Sequence, residues 1–419
     1  MHYAYRFRLK PTAEQRELLD YHRDTCRQLY NHALGEFNEI PESAGTLNQR
    51  VRQVRDQLTD LKDWWDELND LYSTVAQAAV MRIEDSITAL SELKDKGYNV
   101  GSLNWKAPRE FRSFTYVQSG FEFDNKNGQT VLSLSKLADI PIECHRQIPD
   151  DEKVKEVTLK KEPTGEWYAS FAVDDKEEPL KPSIEDIDAD DMIGIDVGIL
   201  KYTHDTDGTA VGSLDLADER DRLEREQRNL SRKEHGSNNW EKQRQTVAEC
   251  HLDIKRKRRD FLHKLSNYYA QEYDLVAVED LDVKGMLESP GNSRNTASAA
   301  WNTFTLMLEH KCKREGAHFV KVDPNGTTKE CASCGVETDK PLWVREHSCP
   351  ACGFEADRDA NAAWNILLRG LAKLGVGHSE GTPVETALPV DTVVVSAKRV
   401  VEPGSPCLTE PPTAASRQG

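Results

Sequence analysis

Three acidic residues stand where a carboxylate is costly to place without a partner. Asp196 closes the apolar run Ile193-Gly194-Ile195, which reads as a short buried strand, and Gly198 beyond it leaves room for a backbone or a phosphate. Glu279 follows Val276-Ala277-Val278 in the same way, and Asp280 beside it would point to the opposite face. Asp359 belongs to Asp357-Arg358-Asp359-Ala360-Asn361-Ala362-Ala363, in or just before the first turn of a helix, where the helix dipole favours an anion. An acid at a strand end costs folding free energy unless something pairs with it, and a metal ion pairs with it well. Singly, each acid also reads as a turn, a solvated charge or a helix cap. Together, carboxylates from two strand ends and a helix start are what two Mg2+ ions about 3.5–4 Å apart require for in-line attack on a phosphodiester.

Between the second and third acids lie Cys331-x-x-Cys334 and Cys349-x-x-Cys352, separated by fourteen residues, with Gly335 and Gly353 after the second cysteine of each pair. Four thiolates in two such knuckles make a closed tetrahedral site for one structural Zn2+, with no position left for catalysis. Chelation is then expected to unfold about thirty residues without touching the acidic centre directly. Of nine cysteines, the other five (Cys26, Cys144, Cys250, Cys312 and Cys407) are scattered, which suits a reducing compartment better than a disulfide framework.

The formal net charge of −17 argues at first against a polyanionic partner. Its distribution argues the other way. From Arg220 to Lys264 there are fourteen Lys and Arg against eight Asp and Glu, a local +6 in an acidic chain. Within the helical stretch 218–268, Arg228, Arg232, Lys233, Trp240, Lys255, Arg256, Lys257 and Arg259 are candidates for phosphate-backbone contact. An acidic exterior with basic binding faces fits a halophilic source, for which low salt would cost structure.

These residues need elements to hold them. Residues 2–10 alternate as a half-buried strand. Thr12-Ala13-Glu14-Gln15 is a capping box opening a helix to Phe37, a second helix spans 51–68, and Thr74-x-x-Gln77 caps a third. From Phe114 to Val173 the period is two, including a hairpin through Asn125-Lys126-Asn127-Gly128, so a small antiparallel barrel or sandwich is expected, which strand 2–10 could join. Residues 174–191 are an acidic linker, and a second domain starts near Met192. It reads as strand 192–198, extended segment 199–216, one long helix 218–268, strand 275–278, helix 297–315, strand 319–322, the cysteine module and helix 360–373, a mixed α/β sheet. Residues 373–419 read as a mobile tail. No apolar stretch of about 18 residues spans a membrane, and no apolar signal region opens the chain, so a cytoplasmic protein is expected.

The combination resembles the TnpB family, RNA-guided nucleases of small insertion sequences related to the type V CRISPR effectors. The segments that carry the resemblance, over roughly residues 3–369, include Tyr5-Arg6-Phe7-Arg8-Leu9-Lys10-Pro11, Ile193-Gly194-Ile195-Asp196-Val197-Gly198, Arg259-Asp260-Phe261-Leu262-His263-Lys264, Val278-Glu279-Asp280-Leu281, both cysteine pairs and the motif from Asp357 to Ala363. Asp323-Pro324-Asn325-Gly326-Thr327-Thr328 departs from the family pattern. The resemblance implies a multidomain α/β protein. A wedge-like β-barrel would occupy 1–10 and 105–180, with a helical recognition domain inserted at 11–104. An RNase H-like RuvC domain would occupy 192–325 and 357–372, interrupted by a zinc-binding insert at 326–356. It further implies a RuvC triad on Asp196, Glu279 and Asp359, a guide RNA from the element's own end, and cleavage of double-stranded target DNA. Two rivals are an RNA-guided protein that occupies DNA without cutting and a transposase joining DNA ends directly. A zinc-ribbon transcription factor leaves the acids unexplained.

Overall fold

The computed structural model describes residues 2–126, 128–146, 148, 153–174, 179–288, 300–341, 343–375 and 393–401. The chain divides into two compact units, Met1–Lys176 and Glu177–Gly419, with the boundary inside the acidic stretch 174–191.

In the first unit, β1 (His2–Leu9) leads into α1 (Ala13–Glu39). The capping box forms as the sequence predicts: the Gln15 amide donates to Thr12 Oγ1 at 3.2 Å, and the Thr12 amide to Gln15 Oε1 at 2.9 Å. The expected second helix is broken into α2 (Leu47–Asp56) and α3 (Leu58–Leu61), followed by a 3-10 turn at Asp66–Asn69. The third, α4 (Ser73–Asp95), starts one residue before Thr74, with Tyr72 at its N-cap and no side-chain cap. Six strands follow: β2 (Ser113–Val117), β3 (Phe121–Lys126), β4 (Gln129–Leu134), β5 (Asp139–Glu143), β6 (Lys153–Lys161) and β7 (Trp167–Asp174). They form an antiparallel sheet ordered β2-β6-β7-β1-β5-β4-β3, with β1 in its middle. The sheet curls strongly. Phe123 on β3 sets its ring 4.6 Å from that of Phe171 on β7, although β4, β5 and β1 lie between the two strands.

The second unit is built on a mixed sheet of β8 (Met192–Val197), β9 (Lys201–Asp205), β10 (Thr209–Gly212), β11 (Leu275–Glu279) and β12 (His318–Val322), so the extended segment 199–216 is largely two strands. The helices are α5 (Ala217–Ser231), α6 (Asn238–Glu272), α7 (Val283–Glu288), α8 (Trp301–Glu315) and α9 (Arg358–Lys373), and the cysteine module adds β13 (Glu346–Ser348) and β14 (Glu355–Asp357). The single long helix expected over 218–268 is two helices: the chain turns at 232–237, and Ser237 caps α6 through the Trp240 amide at 3.1 Å. Ile193, Ile195, Val276 and Val278 face α6 and α8, packing with Phe261, Leu265 and Phe304. The other face packs against α9, with Ile366 on Ala277 and Val320 and Leu367 on Leu275.

The mobile tail is corrected in part. Val393–Val395 forms β15, parallel to β10 with Val394 opposite Ala210, and the short α10 (Ala397–Val401) buries Ala397 and Val400 in the core with α6. An exposed edge strand is a liability, and three consecutive β-branched residues are well suited to cover it. The remaining tail residues, 376–392 and 402–419, with Cys407 among them, lie outside the described residues. Among the described residues no helix is long and apolar enough to cross a membrane.

Candidate active site

The parallel strands β8 and β11 pair in register, Ile195 opposite Val278, so Asp196 and Glu279 are the next residue on each. Neighbouring strands lie about 4.8 Å apart, and matched positions on parallel strands face the same side. On the other flank Asp196 stands opposite His204 of β9. The close approach at Gly198 is made by the backbone: a Cβ there would come within 2.7 Å of the carbonyl oxygen of Lys201, the first residue of β9.

Two residues before Asp196, on the same face, Gly194 lets α9 rest directly on the sheet. A Cβ at Gly194 would lie 2.2 Å from the Ala363 carbonyl oxygen, and one at Gly370 would lie 2.8 Å from Ala277 Cβ. The start of this helix is anchored by Asp357. Its Oδ1 accepts from the amides of Asp359 (2.8 Å) and Ala360 (3.4 Å), and its Oδ2 accepts from Lys201 Nζ at 3.1 Å. Asp357 is therefore the helix cap. Asp359, for which capping was the ordinary reading, is released from that duty and lies buried in the first turn.

The electrostatics follow from this convergence. Burial, then the charges of Glu279 and Asp359, push Asp196 well above the usual carboxylate range, while Arg358 and Arg345 pull it back. Burial also raises Glu279, opposed by the Thr327 hydroxyl and the Arg369 charge. Glu279 and Asp359 are each only 8% exposed, so bulk water does little to screen them. An all-carboxylate set of this kind suits a hard divalent cation. The three acids are not gathered as tightly as the thiolates, for only the four cysteines among the described residues bring ligand atoms all within 4.8 Å of one another. Each of two acids is held by a neighbour: Glu279 Oε1 accepts from Thr327 Oγ1 at 2.6 Å, while Asp359 pairs with Arg345 through Oδ2 and with Arg358 through Oδ1 at 3.4 Å.

In the cysteine module, Sγ of Cys331 lies 3.7 Å from that of Cys352, and Cys334 3.5 Å from Cys349. A tetrahedron with Zn–S bonds of ~2.3 Å has edges of about 3.8 Å, so the set fits such an ion, whereas a disulfide would need about 2.05 Å. Each knuckle closes through a glycine amide at positive φ: Gly335 (74°) donates to the Cys331 carbonyl and Gly353 (75°) to that of Cys349. The backbone amide of Cys352 helps to lower the Cys349 thiol to about 6, while burial pushes Cys331 up to about 12, so a metal would have to displace protons from the set on binding.

The module does touch the acidic centre, contrary to the expectation that its loss would leave that centre alone. Thr327 and Arg345 both belong to it. Asn361 and Asn365 of α9 pin its first knuckle: Asn361 Oδ1 accepts from the Ala332 amide (3.0 Å), and both side-chain amides donate to the Glu330 carbonyl at 2.7 Å. Thr327 and Arg345 carry no pattern of their own. The signal for the asparagines was present in two amides four residues apart on an otherwise apolar helix face.

Of the phosphate-contact candidates, Arg228 on α5 is exposed beside Glu224 (3.6 Å), Arg232 and Lys233 lie at the turn, and Trp240 is half-buried with its ring 4.4 Å from His235. Lys255, Arg256, Lys257 and Arg259 are exposed on α6, with Lys257 paired to Glu219 and Arg259 Nε donating to His263 Nε2 at 3.1 Å.

Three family models match the chain: "Helix-turn-helix domain" over residues 1–44, "Probable transposase" (OrfB_IS605) over 173–290, and "Cas12f1-like, TNB domain" over 301–366. Residues 1–44 are here a strand, one long helix and a short turn. A Streptomyces pristinaespiralis protein provisionally named an RNA-guided DNA endonuclease is 32% identical, over 89% of this chain and 90% of its own length. An Escherichia coli K12 relative, provisionally named RNA-guided DNA endonuclease InsQ, is 28% identical over 91% and 96%. A cryo-EM structure of a Cas12f1–sgRNA–target DNA complex shares the fold, with a TM-score of 0.57 and 16% identity over 85% of this chain and 83% of that one.

Proposed function

The chain belongs to the TnpB family, and from that premise we propose that it is an RNA-guided DNA endonuclease of an insertion sequence, cutting at Asp196, Glu279 and Asp359. The observation that carries this reading is the matched register of Asp196 and Glu279 at the ends of adjacent parallel strands, with Asp359 in the first turn of the helix seated on the same face. We assign the second unit as a RuvC-like nuclease domain and the curled sheet of the first as a wedge-like barrel carrying a helical recognition insert.

Two Mg2+ ions held by the three carboxylates would supply water activation and stabilisation of the leaving 3′ oxygen. The chain's own groups set the stage. Thr327 fixes the rotamer of Glu279, and the Asp357–Lys201 pair fixes the start of α9 and hence the position of Asp359. Arg345 and Arg358 offset acidic charge that would otherwise repel a phosphodiester. Cys331, Cys334, Cys349 and Cys352 would hold one structural Zn2+. Sequence would be read by pairing between a guide RNA, transcribed from the element's own end, and target DNA, with protein contacts along the duplex backbone.

Sequencing the RNA that copurifies with the protein, then cutting a plasmid that matches it, tests this reading. A guide that redirects cleavage when its sequence is changed is expected; no associated RNA, or cleavage indifferent to it, would overturn the proposal. The transposase description of one matching family favours a second reading, in which free 3′ ends are joined to DNA. Joined product in the same assay would select that reading.

A further inference from the structure

The segment between α4 and β2 has no helix or strand of its own, yet its middle is tied down. Asn31 of α1 grips both backbone groups of Lys106: its Nδ2 donates to the Lys106 carbonyl at 3.0 Å, and its Oδ1 accepts from the Lys106 amide at 2.8 Å. Arg27, one turn earlier on the same helix, adds a bond to that carbonyl at 3.3 Å. The next turn closes through Glu110, whose Oε2 accepts from the Ala107 amide at 3.1 Å. Phe111 is then buried against Tyr30, with the rings 5.8 Å apart.

Immediately before this grip, the indole of Trp105 is 69% exposed and makes no ring or cation contact among the described residues. A single exposed apolar residue needs no explanation in itself, and Trp64, also exposed, stacks on Trp65 between Asp63 and Asp66 in sequence. Trp105 differs in two respects. Its backbone is held where an ordinary loop would move, so the ring is presented in one place and a ligand need not order it. Its surroundings are also basic. From Lys94 to Arg112 there are five Lys and Arg against two acids, in a chain of net charge −17. Arg109 and Arg112 are exposed, as are Tyr98, Asn99 and Asn104, and one of the two acids, Glu110, is engaged by the Ala107 amide. A ring flanked by cations and amides suits a nucleotide better than the apolar core of a protein interface.

We propose that Trp105 is a stacking platform for one unstacked nucleobase of a bound strand, with Lys106, Arg109 and Arg112 toward the neighbouring phosphates. Asn31 is the positioning residue that holds the platform. The proposal deepens the reading that this chain handles RNA and DNA, and rests on it.

The test uses the full chain with Trp105→Ala, Trp105→Phe, Asn31→Ala and the double variant Asn31→Ala/Trp105→Ala. Affinity for guide RNA, and separately affinity of the assembled ribonucleoprotein for target DNA, is measured across a salt series. Stacking releases no counterions, so Trp105→Ala is expected to weaken binding by about 5–150-fold in at least one arm, which identifies the strand, with the slope of log affinity against log salt unchanged. Trp105→Phe should keep most of the affinity. Asn31→Ala should lose part of the same factor, and the double variant little more than Trp105→Ala alone. Affinity unchanged by Trp105→Ala in both arms would overturn the proposal, as would a loss that appears only as a changed salt slope. Losses that add in the double variant would overturn the role of Asn31. If Asn31→Ala does not fold, the two variants at the exposed Trp105 carry the measurement. Wild-type protein that binds no RNA would instead defeat the reading beneath the proposal.

Discussion

Thr327 is buried, and its hydroxyl reaches Glu279 from forty-eight residues away. A neighbour that orients a metal-binding carboxylate is typically worth about 10–100-fold in metal affinity or activity. Thr327→Val keeps the shape and removes the donor, so cleavage should fall by roughly that factor, with the loss partly recovered at high divalent concentration. An unchanged metal dependence would show that the hydroxyl only fills space. Asp205 gives a prediction of a different kind. Burial raises its carboxyl to about 7, although the Thr209 amide and the Tyr269 hydroxyl, at 2.9 and 3.0 Å, favour the charged form. Below about pH 4 the folded and unfolded chains are both protonated there; between about 4 and 7 the unfolded chain ionises first, so the folded state loses stability as pH rises. Asp205→Asn should remove that part of the decline, seen as a flatter melting temperature across this range. The acids were legible in the sequence because each closes a β-branched run or opens a helix. Thr327 and Arg345 were not, because their partners depend on how the cysteine module folds back.

At the scale of elements, α9 is the part on which most depends. It carries Asp359, rests on Gly194 and pins the first knuckle through Asn361 and Asn365. Gly194→Ala would drive a methyl into the Ala363 backbone oxygen, and overpacking of this kind costs about 1–3 kcal/mol or more. A lowered melting temperature together with a loss of cleavage larger than stability explains is expected, because the helix that sets Asp359 must shift. If the four cysteines hold a metal, stripping it should likewise abolish cutting, since Thr327 and Arg345 leave with the module; chelation that unfolds the module yet spares the rate would contradict the contacts described. Most strands and helices were readable from periodicity. Three features were not: the break of the expected helix over 51–68, the turn at 232–237 inside a continuous charged pattern, and β15, three valines in a Pro- and Gly-rich stretch.

Across the whole molecule, a net charge of −17 with a basic run at Lys255-Arg256-Lys257-Arg258-Arg259 on α6 sets two opposing salt dependences. Screening relieves self-repulsion, so the melting temperature should rise between about 0.1 and 2 M KCl, while contacts to nucleic-acid backbone weaken over the same range. A melting temperature that does not rise with salt would remove the halophilic reading. The division into two units was legible from the acidic stretch that separates them, whereas the curl of the first sheet appears only once Phe123 is seen against Phe171. The central claim is that three carboxylates far apart in sequence do the cutting. It is tested most directly by assembling the Asp196→Ala protein on its guide RNA and measuring target binding and target cleavage in one Mg2+ reaction. Binding within about twofold of wild type with cleavage reduced by at least ~1,000-fold is predicted. Cleavage that persists near the wild-type rate would contradict it.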